Sequence, residues 1–279
     1  MITIGLTGWS DHDSIQRNRQ RKLEEYASHF PVVELDTSFY AIPSKQNIAQ
    51  WIKKTPKSFT FIPKAYSVMT LHRSFEEDFN SMEDVFSIYT EAFSPMIESK
   101  KVKTFLFQFP PVFDCTRKNV NYIRFVRKHM GRLPLSVEFR NQSWFSEVNR
   151  DHTLNLLTQL DMTHVVVDQP QTPNNSVPKI IANTSSELSF VRLHGRNYEG
   201  WLGENVTDWR AERTLYNYSL EELEGMKDNV NQLEKESKEV CVIFNNNSGG
   251  HAAPNAKQLQ SLLGLSFDGL GPQQLDLFL

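Results

Sequence analysis

Cysteine is scarce: Cys115 and Cys241 are the only two in 279 residues, far apart and in no CxxC pairing. That argues against a disulfide scaffold and a thiolate zinc site, and it fits a reducing cytoplasm. Charge of one sign is lacking too. The net charge is −3 and the pI about 6.3, so the chain is no wholesale polyanion binder, and any nucleic-acid contact must come from a local patch. No apolar run approaches the roughly 18 residues of a membrane span. The start, Met-Ile-Thr-Ile-Gly-Leu-Thr-Gly-Trp, has neither a basic stretch nor a long apolar one, so no signal peptide is expected. H-E-x-x-H, G-x-S-x-G and a G-x-G-x-x-G after the first strand are all absent, which removes the usual zincin, serine-hydrolase and dinucleotide-binding signatures.

What remains is ample core material: 39% hydrophobic and 23% charged residues. Short apolar runs alternate with longer amphipathic ones. The runs predict strands at Thr3–Thr7, Val32–Asp36, Phe59–Lys64, Lys103–Gln108, Leu135–Phe139, Thr163–Asp168, Leu188–His194 and Glu239–Phe244. Helical spacing predicts helices at Ser14–His29, Lys45–Lys53 (capped by Ser44), Met82–Ile97, Lys118–His129, Asp151–Gln159, Leu220–Lys235 and Ala256–Leu263, the last with Asn255 as a candidate cap. The Pro- and Asn-rich stretch 169–187 predicts at most a short helix. Eight strands separated by helices mean a parallel sheet, and eight units in this length match a (β/α)8 barrel. We expect one barrel domain over residues 1–270 and a separate tail over 271–279.

The strands begin apolar and end polar. Period 2 places Glu34 with Asp36, Glu138 with Arg140, and Arg192 with His194 on shared faces. Lys64, Gln108, Asp168 and Asn245 close other strands. In a barrel these side chains would point into the mouth, where active sites of this fold sit. The expected site has Glu34, Glu138, Asp168 and His194 as the proton-handling groups. Lys64, Gln108, Arg140, Arg192, Asn245 and Asn246 would hold an anion, joined by the Gly249-Gly250 turn that opens the last helix. Trp9, Phe39, Tyr40 and Trp144 follow strand ends and are candidate mouth aromatics. The basic clusters Arg17–Lys22 and Lys100–Lys103 read as solvated surface away from the mouth.

These motifs resemble, in order and along nearly the whole chain, the domain of unknown function 72 family, also called YecE-like. The matching segments include Gly8-Trp9, Val33-Glu34-Leu35-Asp36-Thr37-Ser38-Phe39-Tyr40, Gln108-Phe109-Pro110-Pro111, Val137-Glu138-Phe139-Arg140, Val191-Arg192-Leu193-His194-Gly195 and Phe244-Asn245-Asn246. The resemblance implies a TIM barrel and a bacterial cytoplasmic protein, and it supplies no reaction. The family typically has Asn where this chain has Asp36, so no catalytic role is assigned to Asp36. The fold it implies is similar to endonuclease IV-like and sugar isomerase-like barrels, which are metal enzymes with several histidine ligands. Here His194 alone ends a strand, so no cofactor is evident and a divalent metal stays open.

The tail reads Gln274-Leu275-Asp276-Leu277-Phe278 after Gly271-Pro272. It matches the pentapeptide by which bacterial proteins bind the DNA sliding clamp, with Leu277 and Phe278 as pocket-filling anchors. The expected function is therefore an enzyme on a phosphate-bearing substrate, nuclease-like or hydrolase-like, with DNA processing at the clamp in view. The alternatives are a sugar-phosphate lyase, isomerase or hydrolase, and a non-catalytic DNA-binding adaptor tethered to the clamp.

Overall fold

A computed structural model describes residues 1–18, 20–173, 176–203 and 208–272. The clamp-like pentapeptide 274–278 lies outside them. Eight strands run Ile2–Thr7 (β1), Val32–Leu35 (β2), Thr60–Pro63 (β3), Phe105–Gln108 (β4), Leu135–Glu138 (β5), Met162–Asp168 (β6), Leu188–Leu193 (β7) and Glu239–Phe244 (β8). All neighbours are parallel, in the order β3-β2-β1-β8-β7-β6-β5-β4. The ends of that order meet through the single bridges Phe61–Val102 and Lys64–Leu106, so the sheet curls into a nearly closed (β/α)8 barrel.

Register sorts the side chains. Thr7 lies beside Glu34, Glu34 beside Ile62, Gln108 beside Glu138, Val167 beside Arg192 and Arg192 beside Ile243. These residues share the inner face, because parallel partners point the same way. The outer alternates, such as Val33, Leu35, Val137, Phe107 and Val242, are fully or nearly fully buried beneath the helices. At the strand-start end Glu239 takes hydrogen bonds from Thr3 (2.6 Å) and Lys103 and plugs the barrel. Among the described residues no helix is long and apolar enough to cross a membrane.

Helices differ from expectation where side chains compete for backbone groups. The expected helix over 14–29 becomes a 3-10 turn, Asp13–Ile15, and a short helix, Lys22–Ala27. Glu25 captures the amides of Arg17 (2.7 Å) and Asn18 (2.9 Å), and Asn18 Oδ1 accepts from the Gln20 amide, so these donors leave the helical ladder. The helix expected over 82–97 is split into Met82–Ala92 and Ser94–Glu98, with Pro95 in the first turn of the second piece. The last helix starts at Ala252, four residues early, which places Asn255 inside it rather than at its cap. Short helices at Thr37–Tyr40, Tyr198–Leu202 and Trp209–Arg213 were not signalled by periodicity.

Candidate functional site at the carboxyl ends of the strands

The inner face puts one guanidinium at the barrel's centre. Arg192 is 1% exposed and grips Glu34 with two bonds, Nε to Oε2 at 2.8 Å and Nη2 to Oε1 at 2.6 Å. Its Nη1 donates to Glu138 and, at 3.2 Å, to Gln108. Glu138 Oε1 also faces Arg140 Nε at 2.7 Å and accepts from His194 Nε2 at 3.2 Å. Asn245 donates to His194 Nδ1 at 2.8 Å, which fixes the neutral tautomer with its hydrogen on Nε2. Burial lifts Glu34 above the usual carboxylate range against the pull of Arg192 and Lys64. Burial pushes Glu138 the same way, but Arg192, Arg140 and His194 outweigh it and hold that carboxyl well below its usual range. His194 is held well below its ordinary value by burial, with Arg140 and Arg192 adding to the effect against Glu138.

This layer is the floor of a cavity of about 600 Å³. Arg192, Gln108 and Asn245 reach it from below, and Asp36, Phe39, Tyr40, Lys64, His72, Arg140 and Trp201 line it, with Trp209, Arg213 and Thr214 among its remaining walls. Lys64 pairs with Asp36 at 2.9 Å and lies over the Phe39 ring at 4.6 Å. Arg140 packs its guanidinium on Trp201 at 5.2 Å and gives one bond, Nη1 to Gln169 at 3.3 Å. Its Nη2 is buried without a hydrogen-bond partner among the described residues.

Most strand-end residues named from sequence therefore do converge. Glu34, Glu138 and His194 form the floor but do not line the cavity; Lys64, Gln108, Arg140, Arg192, Asn245, Phe39 and Tyr40 do. Asp168 stands apart. Its neighbour in register is Leu193, on the outer face, and it binds Arg196 through two bonds of 2.8 Å and Tyr218 at 2.9 Å. Asn246 also points away, donating to Tyr216 O and Asn255 Oδ1. Asn255 in turn ties down the Tyr218 backbone. Gly249 and Gly250 take φ of 70° and 73° in a tight turn whose glycines do not reach the cavity wall. Trp144 is no mouth aromatic: it is fully buried, stacked on Phe139 at 4.2 Å, with its indole N–H on Phe113 O at 2.7 Å. Trp9 packs edge-on against Trp51, outside the cavity. His72 was not among the strand-end candidates, because it lies on the loop after β3 and no strand period reaches it.

The donors at the floor do not fit a divalent ion. Both carboxylates are bound by Arg192 and both His194 nitrogens are engaged. Among the described residues no group of three or more His, Cys, Asp or Glu side chains is placed to hold a metal.

Fold and site together define a single-domain α/β barrel with a cation-lined cavity at the carboxyl ends of its strands. The chain belongs to the protein family of unknown function DUF72, whose family pattern matches residues 3–276. It is 47% identical to the UPF0759 protein YunF of Bacillus subtilis over the full length of both chains. It is 28% identical to the UPF0759 protein YecE of Escherichia coli K12, over 77% of this chain and 85% of that one. Among solved structures it is similar to a DUF72 family protein from Enterococcus faecalis, with a TM-score of 0.94 and 42% identity over 99% of this chain and all of that one. A DUF72 family protein from Thermotoga maritima gives a TM-score of 0.82 and 31% identity over 95% of this chain and all of that one.

Proposed function

We propose that this protein is an enzyme that takes a small phosphate-bearing substrate into the cavity at the carboxyl ends of its strands. One observation carries the reading: the buried Arg140 guanidinium keeps an unpartnered Nη2 in a cavity that Lys64 and Arg192 also line. A buried donor without a partner costs about 1–3 kcal/mol, a cost that a phosphate oxygen would relieve. The cavity volume falls in the range of small-molecule sites and supports a sugar phosphate or similar molecule over a duplex. In this reading Glu34, Glu138 and His194 are positioning residues. They hold Arg192 and Arg140 rigid and charged, and their own polar atoms are already committed. Lys64, paired with Asp36, presents its ammonium to the substrate beside Arg140.

Inorganic phosphate is the first probe. At about 100 times its Kd it raises the unfolding free energy by about 2.7 kcal/mol. We expect that gain in the wild type, over chloride of equal ionic strength, and its loss in Arg140→Gln. Equal behaviour of the two proteins would overturn the reading.

A second proposal concerns the tail. The pentapeptide at 274–278 supports docking on the bacterial sliding clamp, and a role in DNA processing rests on that segment alone.

A further inference from the structure

His72 offers the cavity something His194 cannot. Its backbone amide and the Thr70 hydroxyl both donate to Ser67 O, at 2.9 and 3.3 Å. With its own proton committed there, Thr70 Oγ1 accepts from His72 Nδ1 at 2.9 Å. In that arrangement the neutral ring carries its hydrogen on Nδ1 and a lone pair on Nε2. Its edge packs against the Phe39 ring at 4.9 Å, the same ring that carries the Lys64 ammonium. His72 lines the cavity, and no hydrogen bond among the described residues engages Nε2. His194, by contrast, is wholly buried with both nitrogens bound.

The geometry points to His72 as the proton-carrying residue of this cavity: it is neutral in the free protein and takes a proton from solvent onto Nε2 when an anion docks between Lys64 and Arg140. The inference rests on the phosphate-binding reading above and deepens it. The Nε2 lone pair forms the new N–H bond with a proton drawn from hydronium or buffer acid in bulk solvent, and the imidazolium then donates to a ligand oxygen. The charged groups around the ring are Lys64 and Arg140, Asp36 through its pair with Lys64, and the Arg73–Asp78 pair on its own loop. His72 keeps an exposed edge at the mouth; partial desolvation, with Lys64 and Arg140 adding to it, holds the free protein's ring below its ordinary value. A dianion beside those two cations cancels their field and adds a direct acceptor, and both changes favour the charged ring.

The test is an NMR pH titration of the His72 ring, assigned by the signal lost in His72→Gln, without and with saturating inorganic phosphate. We expect a depressed midpoint in the free protein and a rise of at least one unit, about tenfold in proton affinity, with phosphate bound. Lys64→Met should raise the midpoint of the free protein in the same direction. Phosphate that binds, by its perturbation of the Trp201 indole signal, while the His72 midpoint stays in place would overturn this inference and leave the anion site standing. Phosphate that perturbs neither signal would overturn both.

Discussion

Arg192→Met removes the one cation that two buried carboxylates share. Glu34 and Glu138 are each 0% exposed, and each accepts hydrogen bonds from the Arg192 fork. Taking away one partner of a buried ion pair typically costs about 3–5 kcal/mol, because the other charge is left in low dielectric. That is a large part of the roughly 5–15 kcal/mol that holds a domain together. The cost depends on pH, and the sign follows from the two carboxyls. Glu34 already sits above its ordinary value in the wild type, so it favours folding at low pH and loses that contribution as pH rises through its folded value. Without Arg192 its proton affinity rises further, and protonation offers a cheap escape. Glu138 sits far below its ordinary value in the wild type; the stability it contributes is present above the unfolded value and lost as pH falls through the folded one. In the variant it keeps Arg140 and His194 but loses its strongest partner. Urea unfolding of both proteins at pH 8 and pH 5 should therefore show a gap of about 3–5 kcal/mol at pH 8 that narrows at pH 5. Adding Glu34→Gln should recover part of the gap at pH 8. A gap below about 1 kcal/mol, the level of an exposed pair, or one equal at both pH values, would refute the buried-charge reasoning.

Gly195→Ala should destabilise by about 2–5 kcal/mol in urea, since φ is +86° and the new Cβ would lie 2.6 Å from Tyr216 Cβ. Gly8→Ala, with φ of +70° but open space around it, should cost only about 1–2 kcal/mol; equal losses would show that the clash is relieved elsewhere. Purified bacterial sliding clamp should be captured by the wild type and not by a Leu277→Ala, Phe278→Ala double variant. Equal capture would end the clamp proposal.

The barrel is legible in the chain because each strand is a short apolar run and each crossover a helix; the eight expected strands match the observed ones to within a few residues. Helix ends are less so. Glu25 reaches back eight residues to the Arg17 amide, and no local spacing announces that bond. At the site, period 2 places Glu34, Glu138, Arg192 and His194 correctly, because each shares the face of an inner neighbour. Asp168 obeys the same period on the other face. Only the pairing of Val167 with Arg192 reveals which face is which, and that register is a tertiary fact. Trp144 follows a strand end as Phe39 does, but it turns outward onto Phe139 and Phe113. His72 was out of reach because its place depends on a loop held by Thr70 and Ser67.

The segment that leads to the tail is pinned at the strand-start end. Ser58 donates to Gly269 O at 3.0 Å, the Gly271 amide bonds Ala27 O at 2.9 Å, and Pro272 lines a groove with Thr55 and Pro56. The barrel therefore separates residues 269–272 from its cavity by the full length of the strands. The base and the mouth are thus separate surfaces, and a substitution at Ser58 or Gly271 leaves the residues lining the cavity untouched.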